Sequence, residues 1–168
     1  MFMNKSFIVL AAVFVLGVDV LSAADSRVKR IHPPALHPPH GYTQVIAVAS
    51  GRTVYIAGQV PLDVKPNLVG RNDFEAQTRQ VFENIKAAIA AVGATFSDVV
   101  TMATYVTDIS QIKKYRKVRD EYMTSNLPTA SLVEVKSLFR PDVMIEVSAI
   151  AVIHESKKTG TRATHLHN

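Results

Sequence analysis

The sequence contains no cysteine and no tryptophan, and aromatic residues make up only 7% of its 168 residues. The lack of cysteine excludes a disulfide scaffold, thiol catalysis and zinc sites built from thiolates. The scarcity of aromatic residues argues against a surface that stacks sugar rings or nucleic-acid bases. The length corresponds to one ordinary domain, which can bury a hydrophobic core without covalent cross-links.

Histidine is absent from the central part of the chain. All six histidines lie in the flanking segments or at their borders: His32, His37, His40, His154, His165 and His167. Clustered histidines can bind metal, but their polar and proline-rich surroundings favour solvated tails. Within residues 41–153 the hydroxyls of Thr129, Ser131 and Ser148 therefore have no histidine to activate them. This excludes triad-type nucleophilic catalysis and a histidine-based metal centre, and no cofactor is expected.

The first 24 residues have the layout of a secretory signal peptide. Lys5 precedes an unbroken apolar run over residues 7–16, and residues 22–24 (Ser-Ala-Ala) offer small side chains for cleavage after Ala24. The alternatives are an uncleaved anchor and a cytosolic protein with a spurious start. A membrane span needs about 20 apolar residues, and Asp19 interrupts this segment. We expect export to the periplasm or the exterior, without membrane association after cleavage.

Two flanking segments carry most of the positive charge. Residues 25–40 contain two Pro-Pro pairs, which predict an extended leader rather than a packed element, and residues 154–168 form a polar tail. Seven of the 19 basic and three of the 14 acidic residues lie outside residues 41–153, which leaves that domain a net charge of +1 out of the total +5. The basic composition therefore describes the flanks, and no nucleic-acid partner is expected.

Residues 41–153 predict a single α+β domain with the element order β-β-α-β-α-β-β. The predicted strands cover residues 43–49, 53–57, 99–106, 130–135 and 143–153, and the predicted helices cover residues 72–93 and 110–123. Turn residues 50–52 indicate that the first two strands pair as a hairpin. Asn72 and Glu75 are spaced as a capping box at the start of the first helix.

The predicted sheet is mixed, with both helices on one face, because β-α-β crossovers are right-handed. Two helices cannot cover both faces of such a sheet. The last strand, residues 143–153, is apolar on both of its alternating faces. The uncovered face is therefore expected to pack against other copies of the chain.

Three features of the domain suggest chemistry. Glu146 interrupts the most apolar strand, where desolvation would raise its pKa toward the range useful for proton transfer. A solvent-facing glutamate, or one paired with an arginine, is the alternative. Tyr42 either offers its phenol to a pocket or simply packs. A basic run on the second helix is typical of a solvated face, with a phosphate site as the alternative: Lys113, Lys114, Arg116, Lys117 and Arg119.

Ordered blocks of the domain resemble the RidA (YjgF/YER/UK) family. The blocks are Gly41–Gln44, Ala57–Pro61, Gln80–Ile85, Val99–Asp108, Pro128–Val135 and Asp142–Val152, and they cover the domain but neither flank. The resemblance implies a chorismate-mutase-like fold and a homotrimer whose sheets form a central barrel, with small-molecule clefts between subunits. It also implies cofactor-free hydrolysis of reactive enamines and imines to a keto acid and ammonia.

The resemblance assigns roles to three residues of this chain. Tyr42 matches the family's pocket tyrosine, Gly58 matches the glycine of its Ser-Gly-Gln block, and Glu146 matches the glutamate that positions the attacking water. Leu132 belongs to the same predicted substrate-binding set.

Three positions depart from the family pattern. Ala57 stands where the family has a pocket serine, Arg116 where it has an asparagine, and Ala130 where it has the arginine that binds the substrate carboxylate. Losing a guanidinium–carboxylate contact weakens binding roughly ten- to over a hundred-fold. The departures therefore imply an altered substrate. Arg116 is the candidate to replace the missing guanidinium, whereas Arg140 lies in a Phe-Arg-Pro turn and is less suited.

The sequence supports two main hypotheses. The first is an exported enamine or imine deaminase with an altered substrate, in which Glu146 activates water. The second is a non-catalytic trimer that binds a small ligand in the same clefts, which the losses at Ala57 and Ala130 favour. RNA cleavage agrees poorly with a domain of net charge +1.

Overall fold

The computed structural model describes residues 27–154. The predicted signal peptide, the first two residues of the leader and the tail after residue 154 lie outside the described residues. The strands are β1 Val28–Ile31, β2 Val45–Val48, β3 Arg52–Gln59, β4 Val99–Val106, β5 Thr129–Glu134 and β6 Ile145–Ile153, and the helices are α1 Phe74–Ala90 and α2 Ile112–Tyr122. Neither helix of residues 27–154 combines the length and apolar character needed to cross a bilayer.

The main sheet has four strands in the order β3-β6-β4-β5. Strand β6 runs antiparallel to β3 and β4, whereas β4 and β5 are parallel and are joined through α2. Helix α1 packs on α2, β3 and β6. The predicted α+β class, with two helices on a mixed sheet, is confirmed.

The hydrophobic core lies between the helices and one face of this sheet. Phe82 and Ile85 of α1 are fully buried, as are Ile145 and Val147 of β6. The Phe82 ring stacks on Tyr122 of α2, with 5.2 Å between ring centroids. Because side chains alternate along a strand, the residues between the buried ones of β6 point to the other face.

That other face, which we call the open face, carries exposed apolar side chains. Tyr55 of β3 is 78% exposed, and Tyr105 of β4 and Val133 of β5 are exposed as well. Register places Tyr105 beside Val133. An apolar surface of this kind marks an interaction site. The expected association with other copies stays a prediction.

The predicted hairpin between the first two strands of the domain is wrong. Strand β2 pairs with β1, so that Val28 lies opposite Val48, and β3 pairs with β6 instead. The leader therefore contributes a strand, whereas the sequence indicated an unpacked segment. The reason is non-local: β1 satisfies the backbone groups of β2, and the turn at Gly51, with φ +135°, leads the chain into a different sheet.

The predicted cap of α1 is also displaced by one residue. Asn72 has φ +60°, whereas Asp73 is extended and is the N-cap residue. Its carboxylate accepts hydrogen bonds from the backbone N–H groups of Glu75, at 3.0 Å, and Ala76, at 3.1 Å. The Glu75 carboxylate does not close a capping box but pairs with Lys117 at 2.7 Å. Asn72 and Asp73 are both residue types that cap helices, and the backbone conformation makes Asp73 the N-cap residue.

Candidate active site

A cleft between α2 and β5 collects most of the predicted substrate-binding residues. A cavity of about 170 Å³ is lined by Tyr42, Arg116, Ala130 and Leu132, together with residues of α2. A second cavity of about 510 Å³ adjoins it and shares Arg116 and Arg119 with it. We call the two cavities together the α2 cleft.

Tyr42 is held at this cleft by the residue that follows it. The backbone N–H of Thr43 donates to the carbonyl of Pro128 at 2.8 Å, and its hydroxyl donates to the carbonyl of Leu127. These bonds tie the segment before β2 to the start of β5, beside Ala130. The Tyr42 hydroxyl lies 3.0 Å from Nε2 of His37, a leader residue. The leader thus contacts the predicted pocket tyrosine directly.

The two arginines of the α2 cleft differ in environment. Arg116 is exposed and forms no ion pair within residues 27–154. Arg119 has only 11% of its side chain exposed, and its Nε and Nη2 donate to Oδ1 of Asp120 at 2.9 and 2.6 Å. The guanidinium carbon lies 6.0 Å from the Tyr115 ring centre, a cation–π distance. The guanidinium of Arg116 is therefore available to a ligand, whereas that of Arg119 is engaged.

The sequence placed Arg119 on a solvated helix face, and the structure buries it instead. One signal in the sequence could have indicated this, because Arg119 lies four residues after the aromatic Tyr115, and residues with that spacing share a helix face. Gly41 makes room for it: a β-carbon at Gly41 would lie 2.8 Å from Nη1 of Arg119. The close approach requires glycine at position 41.

Tyr115 forms part of the wall of the cleft. Its ring is buried, and its hydroxyl lies 3.0 Å from the hydroxyl of Thr104 on β4. Burial raises the pKa of Tyr115, against a smaller opposing effect of the Thr104 hydrogen bond. The phenol is therefore neutral at physiological pH and serves as a hydrogen-bonding group rather than a base.

Glu146 lies on the open face, away from the helices. Its neighbours Ile145 and Val147 are buried on the helix side, and register places Glu146 beside Tyr105. Glu146 is only half-buried in the described chain. The burial that the sequence predicted for this carboxylate is thus incomplete there. Within the described chain, Glu146 forms no ion pair with an arginine either.

Ala130 and Leu132 lie on the opposite face. Register aligns them with Met102 and Thr104, both of which are buried on the helix side of β4. The α2 cleft and Glu146 are therefore on opposite faces of the sheet. One subunit brings together four of the six predicted substrate-binding residues but does not join them to the predicted catalytic glutamate.

The remaining two predicted residues, Ala57 and Gly58, accompany Glu146. Ile56 pairs with Ala149 but Gln59 pairs with Val147, so residues 57–58 form a β-bulge. A β-carbon at Gly58 would overlap Oε1 of Glu146. The bulge and the glycine together give the carboxylate its place beside β3.

The leader also brings a histidine to the α2 cleft. His40 lines the same cavity as Ser131, although no hydrogen bond joins their side chains within residues 27–154. The sequence analysis excluded activation of a serine or threonine hydroxyl because it assumed that no histidine lies near the domain. The position of His40 beside this cavity shows that the assumption does not hold. Within the described part of the chain, no three histidine, aspartate or glutamate side chains are grouped as metal ligands.

Sequence comparison relates the chain to proteins of one family. The family model described as Endoribonuclease L-PSP matches residues 33–153. A RutC family protein of Pyrococcus horikoshii is 40% identical over 105 residues, covering 62% of this chain and 82% of that protein. A protein of Dermatophagoides farinae named 2-iminobutanoate/2-iminopropanoate deaminase is 31% identical over 121 residues, covering 72% of this chain and 92% of that protein.

Solved structures agree with this relationship. A conserved Rid family protein of Yersinia pestis, YyfB, aligns with a TM-score of 0.71 at 32% identity, covering 76% of this chain and 99% of that one. RidA from a Psychrobacter species aligns with a TM-score of 0.57 at 35% identity, covering 70% and 92%. The fold, the sequence blocks that contain the site residues and these matches show that the chain belongs to the Endoribonuclease L-PSP family, which includes the RidA (YjgF) proteins.

Proposed function

We propose that this protein hydrolyses reactive imines or enamines without a cofactor, and that it acts on a substrate different from that of typical RidA proteins. The observation that carries the proposal is the carboxylate of Glu146 seated against Gly58 at the bulge of β3. The relative from Dermatophagoides farinae, named as an iminobutanoate and iminopropanoate deaminase, supports the reaction class. The family description also names an endoribonuclease. A net charge of +1 over residues 41–153 gives little attraction for RNA phosphates.

The complete site is proposed to form between subunits of a homotrimer. Strands β3 and β5 are the two edges of the sheet. If β5 of one subunit meets β3 of the next, the α2 cleft approaches the Gly58–Glu146 pair of the neighbour. Such a head-to-tail contact closes into a ring when the rotation allows it. The exposed apolar side chains of the open face then line the interior of the ring.

The proposed chemistry follows from one carboxylate and one water molecule. Glu146 accepts a proton from water as the oxygen attacks the imine carbon, and returns a proton to the nitrogen. This gives a carbinolamine. Glu146 then transfers the proton of the carbinolamine hydroxyl group to the amino nitrogen as the carbon–nitrogen bond breaks, which releases ammonia and leaves a carbonyl group. Covering the open face in the trimer would desolvate Glu146 and strengthen it as a base.

The altered substrate is proposed to contact Arg116. Ala130 has no group that binds a carboxylate, whereas Arg116 lines the same cavity and its guanidinium forms no ion pair within residues 27–154. Arg119 is held by Asp120 and is better suited to shaping the wall. A substrate carboxylate bound by Arg116 would lie against α2 rather than against β5. This different position of the carboxylate changes which imines the cleft accommodates.

Ammonia release from a panel of imines, with and without a carboxylate, tests the proposal. We expect wild-type turnover of at least one imine, and a loss of about 10²–10⁴-fold in the Glu146→Gln variant. Glu83→Gln, on the outer face of α1, is the matched control and should keep full activity. If no imine reacts faster than in buffer, hydrolysis is refuted and the non-catalytic ligand-binding trimer is favoured. If Glu146→Gln is unimpaired, the catalytic role of Glu146 is refuted.

Export remains part of the proposal. Its support is the order of Lys5, the apolar run over residues 7–16 and the small residues 22–24. Mass spectrometry of the protein recovered from its native host should show a mature chain that begins at Asp25. An intact chain that begins at Met1 contradicts cleavage.

A further inference from the structure

A third cavity, separate from the two that form the α2 cleft, lies on the open-face side of the molecule. It lies between β1 and the carboxyl end of β6. It has a volume of about 430 Å³, and its lining includes Val28 and Arg30 of β1, Ser97, Val100 of β4, and Val152 and His154 at the end of β6. None of the residues that line the α2 cleft takes part in it. We call it the leader cavity, because the leader strand β1 forms one of its walls.

Arg30 lines this cavity, and its guanidinium forms no ion pair within residues 27–154. Along β1, Val28 and Arg30 are half-buried, whereas Lys29 and Ile31 are exposed. Nη2 of Arg30 donates to the carbonyl of Ser97 at 3.3 Å, but its Nε is buried without a hydrogen-bond partner in residues 27–154. Burial lowers the pKa of Arg30. A desolvated guanidinium donor of this kind favours a bound acceptor, above all an anionic one.

His154 adds a second polar group from a distant part of the chain. Both of its ring nitrogens are buried, and neither has a hydrogen-bond partner within residues 27–154. Gly51 permits the ring to lie close to the β2–β3 turn, since a β-carbon there would be 3.0 Å from its Cε1 atom. The Nε atom of Arg30 and both ring nitrogens of His154, which lack hydrogen-bond partners within residues 27–154, therefore lie at one cavity. A buried polar group without a partner is costly unless a ligand or water satisfies it.

The rest of the lining restricts the chemistry of the occupant. Asp98 also lines the cavity, and its Oδ2 already accepts bonds from the backbone N–H and the hydroxyl of Thr95 at 2.8 and 3.1 Å. This carboxylate repels an anion that carries two charges more strongly than one that carries a single charge. Three valines supply an apolar wall, namely Val28, Val100 and Val152. The combination suits one negative charge attached to a short hydrocarbon chain.

We propose that the leader cavity is a second ligand site, which binds a small aliphatic monocarboxylate through Arg30 and His154. The carboxylate accepts hydrogen bonds from Nε of Arg30 and from the imidazole, and the hydrocarbon chain lies against the valines. The site is independent of imine hydrolysis, because it shares no residue with the α2 cleft or with the Gly58–Glu146 pair.

Isothermal titration calorimetry of the full chain with butanoate, and with butanamide as the uncharged analogue, tests the site. We expect saturable binding of butanoate and none of butanamide. Arg30→Gln and His154→Gln should each weaken butanoate binding by about tenfold or more. Lys29→Gln is the matched control, since it removes a positive charge from the exposed side of the same strand, and it should bind as the wild type does.

Several outcomes overturn the site. The first is that butanoate does not bind saturably, and the second is that both cavity variants bind it as tightly as the wild type. The third is that Lys29→Gln weakens binding as much as Arg30→Gln does, which indicates a general charge effect. Binding that is lost in Arg116→Gln but kept in Arg30→Gln places butanoate in the α2 cleft and also refutes the proposal. A protein that hydrolyses no imine but still binds butanoate through Arg30 leaves this site intact. The two proposals therefore fail separately.

Discussion

Gly58 leaves the space that the carboxylate of Glu146 occupies, and a β-carbon at position 58 would overlap its Oε1 atom. The β-bulge at residues 57–58 makes this approach possible, since it turns β3 locally against β6. The two residues are 88 positions apart and meet only through the pairing of β3 with β6.

Replacing Gly58 with alanine should displace the Glu146 carboxylate. We expect imine hydrolysis to fall at least tenfold and the free energy of unfolding to fall by about 1–3 kcal/mol, because an added methyl group overpacks the contact. Chemical denaturation and ammonia release measure the two effects. In the double variant Gly58→Ala, Glu146→Ala the overlap is gone, so stability should recover while activity stays low. A double variant as unstable as Gly58→Ala contradicts the contact.

Arg116→Gln should act only on substrates that carry a carboxylate. We expect KM for such imines to rise by roughly ten- to a hundred-fold, because a charge-assisted hydrogen bond is lost, with no change for imines that lack a carboxylate. Steady-state kinetics on matched pairs of imines measure the difference. Lys113→Gln, an exposed residue of α2 outside the cleft lining, is the control. Equal effects on both kinds of substrate exclude a direct contact with the carboxylate.

Tyr55→Glu should prevent the predicted trimer from forming. Tyr55 is 78% exposed on the open face, and a carboxylate placed in an apolar interface costs several kcal/mol unless it is paired. Sedimentation velocity should show the wild type as a trimer and this variant as a monomer without imine hydrolysis. Val64→Glu changes a residue that is 100% exposed in the loop after β3, and should remain trimeric. A monomeric wild type contradicts the proposed composite site.

Tyr122 should make stability fall at high pH. Burial, followed by its hydrogen bond to the Glu83 carboxylate, raises the pKa of Tyr122 from an ordinary 10.0 to about 12. A raised pKa in the folded state gives stabilisation that is complete below the unfolded-state value and is lost as the pH rises through the folded-state value. The wild type should therefore lose its stability advantage over Tyr122→Phe between pH 10 and 12. Denaturant unfolding across that range measures it, and a constant difference contradicts the assignment.

Local patterns predicted the helices and most strands. Val81, Ile85 and Ile89 of α1 recur at helical spacing in the sequence, and all three are buried. Turn and cap residues gave less accurate boundaries, because Asn72 and Asp73 are equally suited to cap a helix and only the path of the chain distinguishes them. The pairing of β2 was missed because its partner strand β1 lies in the proline-rich leader, for which the sequence predicted no packed element.

The candidate site shows the same division. The chemistry of Tyr42, Arg116 and Glu146 was apparent from residue types and from the family resemblance. In the described part of the chain Arg116 has no ion-pair partner, whereas Arg119 is largely buried and pairs with Asp120. This difference depends on how α2 packs, and no local pattern specifies it. The approach of His37 and His40 to the pocket depends on the course of the leader.

By itself, the sequence determined which chemical groups this protein has: no thiol, no indole, a nearly neutral domain and a glutamate in its most apolar strand. It also determined where helices and strands form, because periodicity and capping are properties of neighbouring residues. The tertiary structure alone decided which groups meet. It seated Glu146 against Gly58, put the α2 cleft on the other face of the sheet, and joined Arg30 to His154 in a separate cavity. Such contacts depend on strand pairing between distant segments, and no local pattern encodes that pairing.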